Sequence, residues 1–542
     1  MVPYIPPNPP NSQSTSRRRR LEAEPGNGRP TSKRRRVSNR RLASTFHNIP
    51  PEILLIIFEM VIKGRQDVTI RLPSRSPGAF GHALFERKAR VPPPPLLSQI
   101  CRSWRQLVHN TPWFWTDLSI LPRHSRYNGQ LHMVEEWIKR TRDLPLSFTV
   151  SDHFAPDPYS SSLVDILNYV TPFHHRLESL DICLPLEHWD PFFNFEEPLD
   201  GLKRINFTFS NALESTYFRG IVFTFYDLKN LTHVSLTGFN RALGFDILNF
   251  FWLPYPNLIE LRLDNVFADT ALFINFALSV GTRLQVGHFM FPQLYTSPEA
   301  RDADLPRLIA SRQQGFSYEL RDLSLTFQEL DMVPYVLEAL TCPNLEKLTI
   351  IHQKGTTYEP GEFADALNKF RDRSEFYLSE LHLHGIENLT TKELVEFLAP
   401  MHRALEVLDV QFCHEMLMTT LFDCLSIPEI DLDVLVDAYI RGHEDSLAII
   451  DQETARTGSF PMLAPNLRKL KITGEFDEDG DVDMILHVVR SRNLAIPGAR
   501  IARLQRVSLE VFGDGRLSDA ADEELAWFEN DDEHFSFYYQ AY

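Results

Sequence analysis

The 542-residue chain has only five cysteines, Cys101, Cys183, Cys342, Cys413 and Cys424, an odd number scattered along its length. None forms a CxxC pair or a Cys/His metal spacing. A disulfide framework and a zinc knuckle are therefore not expected, and a reduced intracellular compartment is. Long apolar runs are missing as well. The longest, Ile53 to Met60, falls far short of the roughly 20 residues of a membrane helix and contains Glu59. The N-terminus opens with prolines and has no apolar core of the kind a secretory signal needs. There is no GxxxxGKS/T loop, no GxGxxG opening a helix and no GxSxG elbow. Nothing in the residues calls for a cofactor or a catalytic centre, and a soluble intracellular protein is expected.

Two weaker constellations need a physical reading. Glu475-Phe476-Asp477-Glu478-Asp479-Gly480 resembles the front half of a calcium loop, but the twelfth position is Leu486, where a bidentate Glu is required. It reads as a solvated acidic turn. His382 and His384 alternate on one strand-like segment and share a face; two histidines could begin a zinc site, yet no third ligand is apparent in the sequence, so ordinary surface residues are favoured. His174-His175 falls in a connection. Cys101 lies on the apolar side of its segment beside Trp104, as a packing residue.

What the chain does contain is unevenly placed charge. Residues 1–45 hold eleven Lys/Arg and two Glu, net +9, which leaves 44 basic and 70 acidic residues, net −26, for the rest. The basic charge is concentrated in Arg17-Arg18-Arg19-Arg20 and Lys33-Arg34-Arg35-Arg36, twelve residues apart, among Pro, Ser, Asn and Gly. Such a segment buries too little apolar surface to fold. The paired clusters resemble a bipartite nuclear-import signal read by an acidic groove on an import receptor. A nucleic-acid-binding arm and a plain solvated tail are the rival readings. The acidity of the remaining chain argues against the arm. Nuclear and cytoplasmic locations are both compatible with this reading.

The organising stretch is Ile49-Pro50-Pro51-Glu52-Ile53-Leu54. Two prolines pre-set φ where a missing N–H costs nothing, and Glu52 sits in the first turn against the helix dipole. Ile53, Leu54, Ile56, Ile57, Phe58, Met60, Val61 and Ile62 then make a helix apolar on nearly all sides, which should be buried on more than one face. In Leu96–Leu118, Leu96, Leu97, Ile100, Cys101, Trp104, Leu107 and Val108 take one side of a single expected helix that Thr111-Pro112 ends, with Trp113, Phe114 and Trp115 just beyond.

These residues carry a resemblance. The run IPPEILLIIFEM followed by LLSQICRSWRQLVHNTPWFWTDL is similar to an F-box of the form found in fungal F-box proteins, over Ile49 to Leu118. Lys63 to Pro95 is longer than the family's usual connection and reads as an inserted flexible loop. The resemblance implies a small all-helical module, residues 46–120, that docks a Skp-family adaptor and through it a cullin scaffold. It also implies contact residues: Ile49, Pro50, Glu52, Ile53, Leu54, Ile57 and Phe58 in the first element, and Leu96, Leu97, Ile100, Cys101, Trp104, Leu107 and Trp115 in the second. Some would pack internally and others would enter adaptor pockets.

Beyond Leu118 the chain repeats. After an expected helix, Leu131 to Arg140, and a strand, Arg142 to Val150, a phrase close to Leu-x-x-Leu-x-Leu recurs. It falls at 176–184, 202–209, 231–238, 257–266, 320–327, 344–352, 378–386, 405–413, 466–474 and 504–512, with a weaker copy at 283–291. Several intervals are 25 to 29 residues, the period of leucine-rich repeats. Alternate leucines of each strand point inward, and the units must stack because none can bury its own leucines. Return helices are expected at Phe245–Phe251, Thr270–Leu278, Val333–Leu340, Phe363–Phe370 and Thr391–Leu398. The match is imperfect: the asparagine expected after the strand is mostly missing. Two intervals, Leu258 to Leu320 and Leu405 to Leu467, stretch to 62 residues. Leu417 to Ile450 reads as helices decorating the stack, and the stretch from Gly513, with nine Asp/Glu, one Arg and many aromatics, as part cap and part tail.

The expected architecture is α/β: a disordered basic tail (1–45), a helical F-box (46–120, with the loop 63–95), a leucine-rich-repeat-like solenoid of stacked parallel strands (121–512) and an acidic aromatic end (513–542). The resemblance implies a non-catalytic substrate adaptor of a Skp-cullin-F-box ubiquitin ligase, presenting an unidentified protein substrate. A repeat scaffold without a ligase role and a nucleic-acid-associated protein using its basic arm remain alternatives.

Overall fold

The computed structural model describes residues 49–63, 93–120, 127–151, 161–184, 199–209, 223–224, 228–238, 251–253, 255–267, 283–291, 319–327, 333–352, 361–386, 389–401, 403–412, 418–426, 464–476, 479–493, 502–512, 517–531 and 535–541. The chain divides into two units, Met1–Met60 and Val61–Tyr542. The basic clusters at 17–36, the interval 64–92 and the expected return helices at 245–250 and 270–278 lie outside the described residues.

The first unit contributes one described element, helix α1 (Pro51–Lys63), whose last three residues run into the second. Ile53 and Leu54 both donate to the Pro50 carbonyl at 3.1 Å, so the helix starts where the two prolines predict. Its burial differs from expectation. Only Leu54 and Phe58 are buried, while Ile53, Ile56, Ile57, Met60 and Val61 are exposed.

The second unit is built on a 14-stranded sheet, every strand parallel and in chain order. Its strands are β1 (Asp117–Ile120), β2 (Leu146–Ser151), β3 (Leu177–Leu184), β4 (Arg204–Phe209), β5 (His233–Gly238), β6 (Glu260–Phe267) and β7 (Val286–Phe291). They continue as β8 (Asp322–Phe327), β9 (Lys347–His352), β10 (Glu380–His384), β11 (Val407–Gln411), β12 (Lys469–Glu475), β13 (Arg506–Phe512) and β14 (Ser536–Ala541). A parallel sheet covered on both faces reads as continuous apolar runs. Here the strands alternate instead: in β8 to β11 one set of positions is buried and the other half-exposed. Leu323, Leu325, Leu348, Ile350, Leu381, Leu383, Leu408 and Val410 are fully buried. Each such side chain contributes about 1.5–3 kcal/mol of hydrophobic stabilisation, available only because the next repeat covers it.

The connections supply the helices. α2 (Pro93–Ser98), α3 (Arg102–His109) and a 3-10 turn (Pro112–Trp115) precede β1; α4 (Tyr127–Thr141) and α5 (Ser161–Val170) precede β2 and β3. Further along come α6 (Val333–Ala339), α7 (Glu362–Ser374), α8 (Thr391–Leu398), α9 (Met418–Leu425), α10 (Asp479–Asn493) and α11 (Asp519–Asp531). The expected helices at 333–340, 363–370 and 391–398 correspond to α6, α7 and α8, and the last begins with a capping box between Thr390 and Glu393. Phe251 is not helical: Phe251–Trp252 pairs with Phe223–Thr224 in a separate two-residue ladder. Arg142 has φ +53° and belongs to a turn, so β2 starts at Leu146. Asp479 and Gly480 open α10, and Asp477 and Glu478 of the acidic run lie outside the described residues.

The two 62-residue intervals have different origins. Leu258 to Leu320 contains β7, the weak copy, and is two repeats. Leu405 to Leu467 is one repeat with a long excursion, because β11 pairs directly with β12.

A recurrent arginine device holds neighbouring connections together. Arg176 donates to Leu144 O (Nε 3.1 Å, Nη2 2.8 Å) and to Thr141 Oγ1 at the end of α4. Arg373 donates to Leu337 and Leu340 carbonyls at the end of α6, and Arg371 to Glu396 and Phe397 carbonyls at the end of α8. Buried Arg492 reaches Leu425 O, which closes α9, and Ala464 O, both at 3.0 Å, and so joins the two sides of the excursion. These groups satisfy the carbonyls a helix leaves open at its C-terminus, where a cation is also favoured by the dipole. The expected asparagine works elsewhere: Asn230 and Asn466, each just before the first leucine of a phrase, donate to the Asp200 and Arg403 carbonyls of the preceding repeat at 2.6 Å.

Candidate functional site

Two surfaces concentrate chemistry: the apolar side of α1 in the first unit, and the open face of the sheet in the second.

On α1, Ile53, Ile56, Ile57 and Met60 fall at i, i+3, i+4 and i+7, one side of a helix. They are 47%, 55%, 40% and 69% exposed, against 1% for Phe58. A helix of this composition should lose all four to a core; instead it presents a continuous aliphatic stripe, with Pro50 and Glu52 exposed at its start and Ile49 half-buried. Ile56 and Met60 were not among the expected contact residues, although the helical spacing from Ile53 picks them out.

The second expected element is not one helix. The prolines read as the end of a loop, Pro93 to Pro95, are the first turn of α2, where a missing N–H costs least. The chain breaks at Gln99-Ile100, and α3 restarts at Arg102. Cys101 is its cap: Sγ accepts from Trp104 N at 3.5 Å and lies 3.1 Å from Ser103 Oγ. Burial raises the thiol pKa, but the hydrogen bonds from Ser103 and from the Trp104 N–H outweigh it, so the thiol lies below its ordinary range. Leu97 and Trp115 are buried, Leu96, Trp104 and Leu107 half-buried, and Ile100 is 60% exposed. Trp115 is internal: its Nε1 donates to Val108 O at 2.9 Å and its ring meets Trp137 edge-on at 4.9 Å, with Arg140 on it. A cleft of about 250 Å³ beside it is lined by His109, Trp137, Glu136 and Arg140. Burial, then Arg140 and Arg105, keeps the His109 pKa below the usual histidine value.

The open sheet face carries charges whose signs match across strands. Asp322, Lys347 and Glu380 stand opposite one another on β8, β9 and β10, and Lys347 Nζ lies 3.8 Å from Asp322 and 3.5 Å from Glu380. His288 Nε2 is 3.7 Å from Asp322 on its other side, and Arg262 pairs with Glu260. Next along, His382 of β10 faces Asp409 of β11 in register. His382 Nδ1 bonds Asp409 Oδ2 at 3.2 Å, and His384 Nε2 lies 3.3 Å from the same oxygen, out of hydrogen-bonding alignment. Gln411 donates to Asp409 Oδ1 at 2.8 Å. Burial pushes the Asp409 carboxyl upward, but the two histidines and Gln411 outweigh it and hold the carboxyl well below the usual range. The third group that local sequence did not offer beside His382 and His384 is thus Asp409, 25 residues beyond His384 but on the adjacent strand. The sequence signal existed: Asp409 holds the same place in its phrase as His382 holds in the preceding one.

Among the described residues no helix is long and apolar enough to cross a membrane. The chain matches no protein-family model and no curated protein.

Proposed function

We propose that this chain is the substrate-recognition subunit of a Skp-cullin-F-box type ubiquitin ligase: α1 and the α2–α3 segment form the F-box, and leucine-rich-repeat-like units present a protein substrate. The observation that carries the reading is the exposed stripe Ile53, Ile56, Ile57 and Met60. Together with the Pro-x-Glu-Ile-Leu and Cys-Arg-x-Trp-Arg runs, it supplies the aliphatic anchors a helix needs to enter an apolar groove. The open polar face of the sheet supports the second half of the proposal, because charges paired across repeats are readable by a protein partner. The basic clusters at 17–36 would deliver the chain to an import receptor. A second reading, a repeat scaffold without a ligase role, is favoured by Trp115, whose packing on Trp137 makes this part of the F-box-like run a support for the first repeats.

The test is co-purification of the full chain with a recombinant Skp-family adaptor, beside Ile56→Asp/Ile57→Asp. Each isoleucine still exposes about half its side chain, so burying it in a groove is worth roughly 1 kcal/mol, and an aspartate there adds a desolvation cost. Binding should fall more than about a hundredfold, since 1.4 kcal/mol is tenfold. The unfolding midpoint should stay near that of the parent, as exposed substitutions change stability by about 0.5 kcal/mol or less. No binding by the folded parent would remove the ligase reading and leave the scaffold.

A further inference from the structure

The histidine–aspartate cluster on the open sheet face is not explained by the adaptor reading, and its geometry is more specific than an ion pair requires. Three ligating atoms, one each from His382, His384 and Asp409, lie within 4.8 Å of one another. The two measured edges that share Asp409 Oδ2, 3.2 Å to His382 Nδ1 and 3.3 Å to His384 Nε2, equal the edge of a tetrahedron around a metal with bonds of about 2.0–2.1 Å, which is about 3.3 Å. The third edge, histidine to histidine, is at most 4.8 Å.

The surrounding groups are those a bound ion needs. Gln411 takes Asp409 Oδ1, which leaves Oδ2 to ligate. The Glu380 carboxylate lies 3.5 Å from His382 Nε2, the nitrogen that would not bind the metal, and that atom is buried without a hydrogen bond. A ligating histidine typically donates its other N–H to a carboxylate, and this arrangement provides one. His384 Nε2 is also buried and lacks a hydrogen bond. A simple ion pair would leave His384 Nε2 unsatisfied, at a cost of about 1–3 kcal/mol. The neighbouring His288–Asp322 pair lacks these features: no third ligating group joins it among the described residues, and Lys347 and Arg262 bear on it directly, whereas at the cluster Lys347 meets Glu380 and not a ligating atom.

We infer that His382 Nδ1, His384 Nε2 and Asp409 Oδ2 form a binding site for a zinc-class divalent metal ion, with Glu380 and Gln411 orienting the ligands. Two neutral imidazoles and one carboxylate suit a borderline ion and leave the site with one net positive charge when loaded. This inference is independent of any adaptor binding, because its residues lie on the repeat sheet and not on α1.

The experiment uses the full chain, stripped with a chelator and titrated with Co²⁺ as a spectroscopic stand-in, then with Zn²⁺. One equivalent of Co²⁺ should produce the intense visible d–d absorption of a four-coordinate site, and Zn²⁺ should bleach it. His384→Ala and the near-isosteric Asp409→Asn should each lose that equivalent, while His174→Ala/His175→Ala, on a separate histidine pair, should keep it. Glu380→Gln should bind about 10- to 100-fold more weakly. All variants are checked by circular dichroism, and Asp409→Asn decides the matter if His384→Ala is unstable. Absence of the absorption, the weak spectrum of a six-coordinate ion, or an unchanged signal in folded Asp409→Asn would each overturn the assignment.

Discussion

Three glycines allow the steric logic of the repeat to be measured one step at a time. Gly385 follows β10 with φ +72°, a conformation in which an L side chain costs roughly 1–2 kcal/mol. An added Cβ there would also sit 2.5 Å from the backbone oxygen of His352, on the preceding repeat. That oxygen cannot rotate away, so β9 and the end of β10 must separate. One bond lies on the line of separation, His352 Nδ1 to Gly385 O at 3.2 Å, while Gly385 N to Gln411 O at 2.7 Å runs to β11 on the other side. Losing it adds about 1 kcal/mol. The lower entropy of the unfolded alanine chain favours folding, but where φ is positive the strain outweighs that gain. Gly385→Ala should therefore destabilise by about 2–3 kcal/mol. Gly361 is the control: φ is +90°, but a Cβ meets only the Glu393 carboxylate at 3.6 Å, so Gly361→Ala should cost the backbone term alone, about 1–2 kcal/mol. Gly129 lies in α4 with nothing within 4 Å, and Gly129→Ala should stabilise by up to about 1 kcal/mol. Urea unfolding gives the three differences, and amide exchange in β9 and β10 locates the largest. A Gly385→Ala cost no greater than that of Gly361→Ala would refute the proposed clash with His352.

Two further outcomes follow from the titrating groups. Thiol reagents at mildly alkaline pH should modify half-exposed Cys101 before Cys342, whose burial pushes its thiol up to about 12; peptide mapping of labelled chain checks the order, and earlier labelling of Cys342 would contradict its packing. Asp409→Asn should be less stable than the parent at neutral pH in chelator-treated buffer. The folded Asp409 carboxyl titrates below its unfolded value of 3.8, so its contribution is complete above that value and is lost as pH falls through the folded pKa. The gap between the two unfolding midpoints should accordingly narrow below about pH 4, and a gap that widens in acid would reverse the sign of the argument.

How much of this was legible in the sequence depends on the range of the interaction. The inward leucines were, because burial against one's own repeat follows a period of two: Leu323 with Leu325, and Leu381 with Leu383, announce their face without any neighbour. Capping was legible at Thr390 for the same reason, since its partner is Glu393. The excess exposure on α1 was not, because an apolar residue carries no mark of whether a core or a partner will cover it. Ile56 and Phe58 have the same affinity for a core, and only the fold separates them. Contacts that cross repeats were hidden differently. Arg492 sits 28 residues after Ala464 and 67 after Leu425, and no local pattern says that one guanidinium spans both. The cluster of His382, His384 and Asp409 lies between these extremes. A search by chain-local spacing finds two histidines and stops. Once the phrases are laid one above another, position five of the 378–386 phrase and position five of the 405–413 phrase become neighbours, as the register confirms. In a stack of parallel repeats the informative distance is therefore the difference in position within the repeat, not the difference in residue number. A site assembled across strands is visible in the sequence only after the alignment of the repeats with one another.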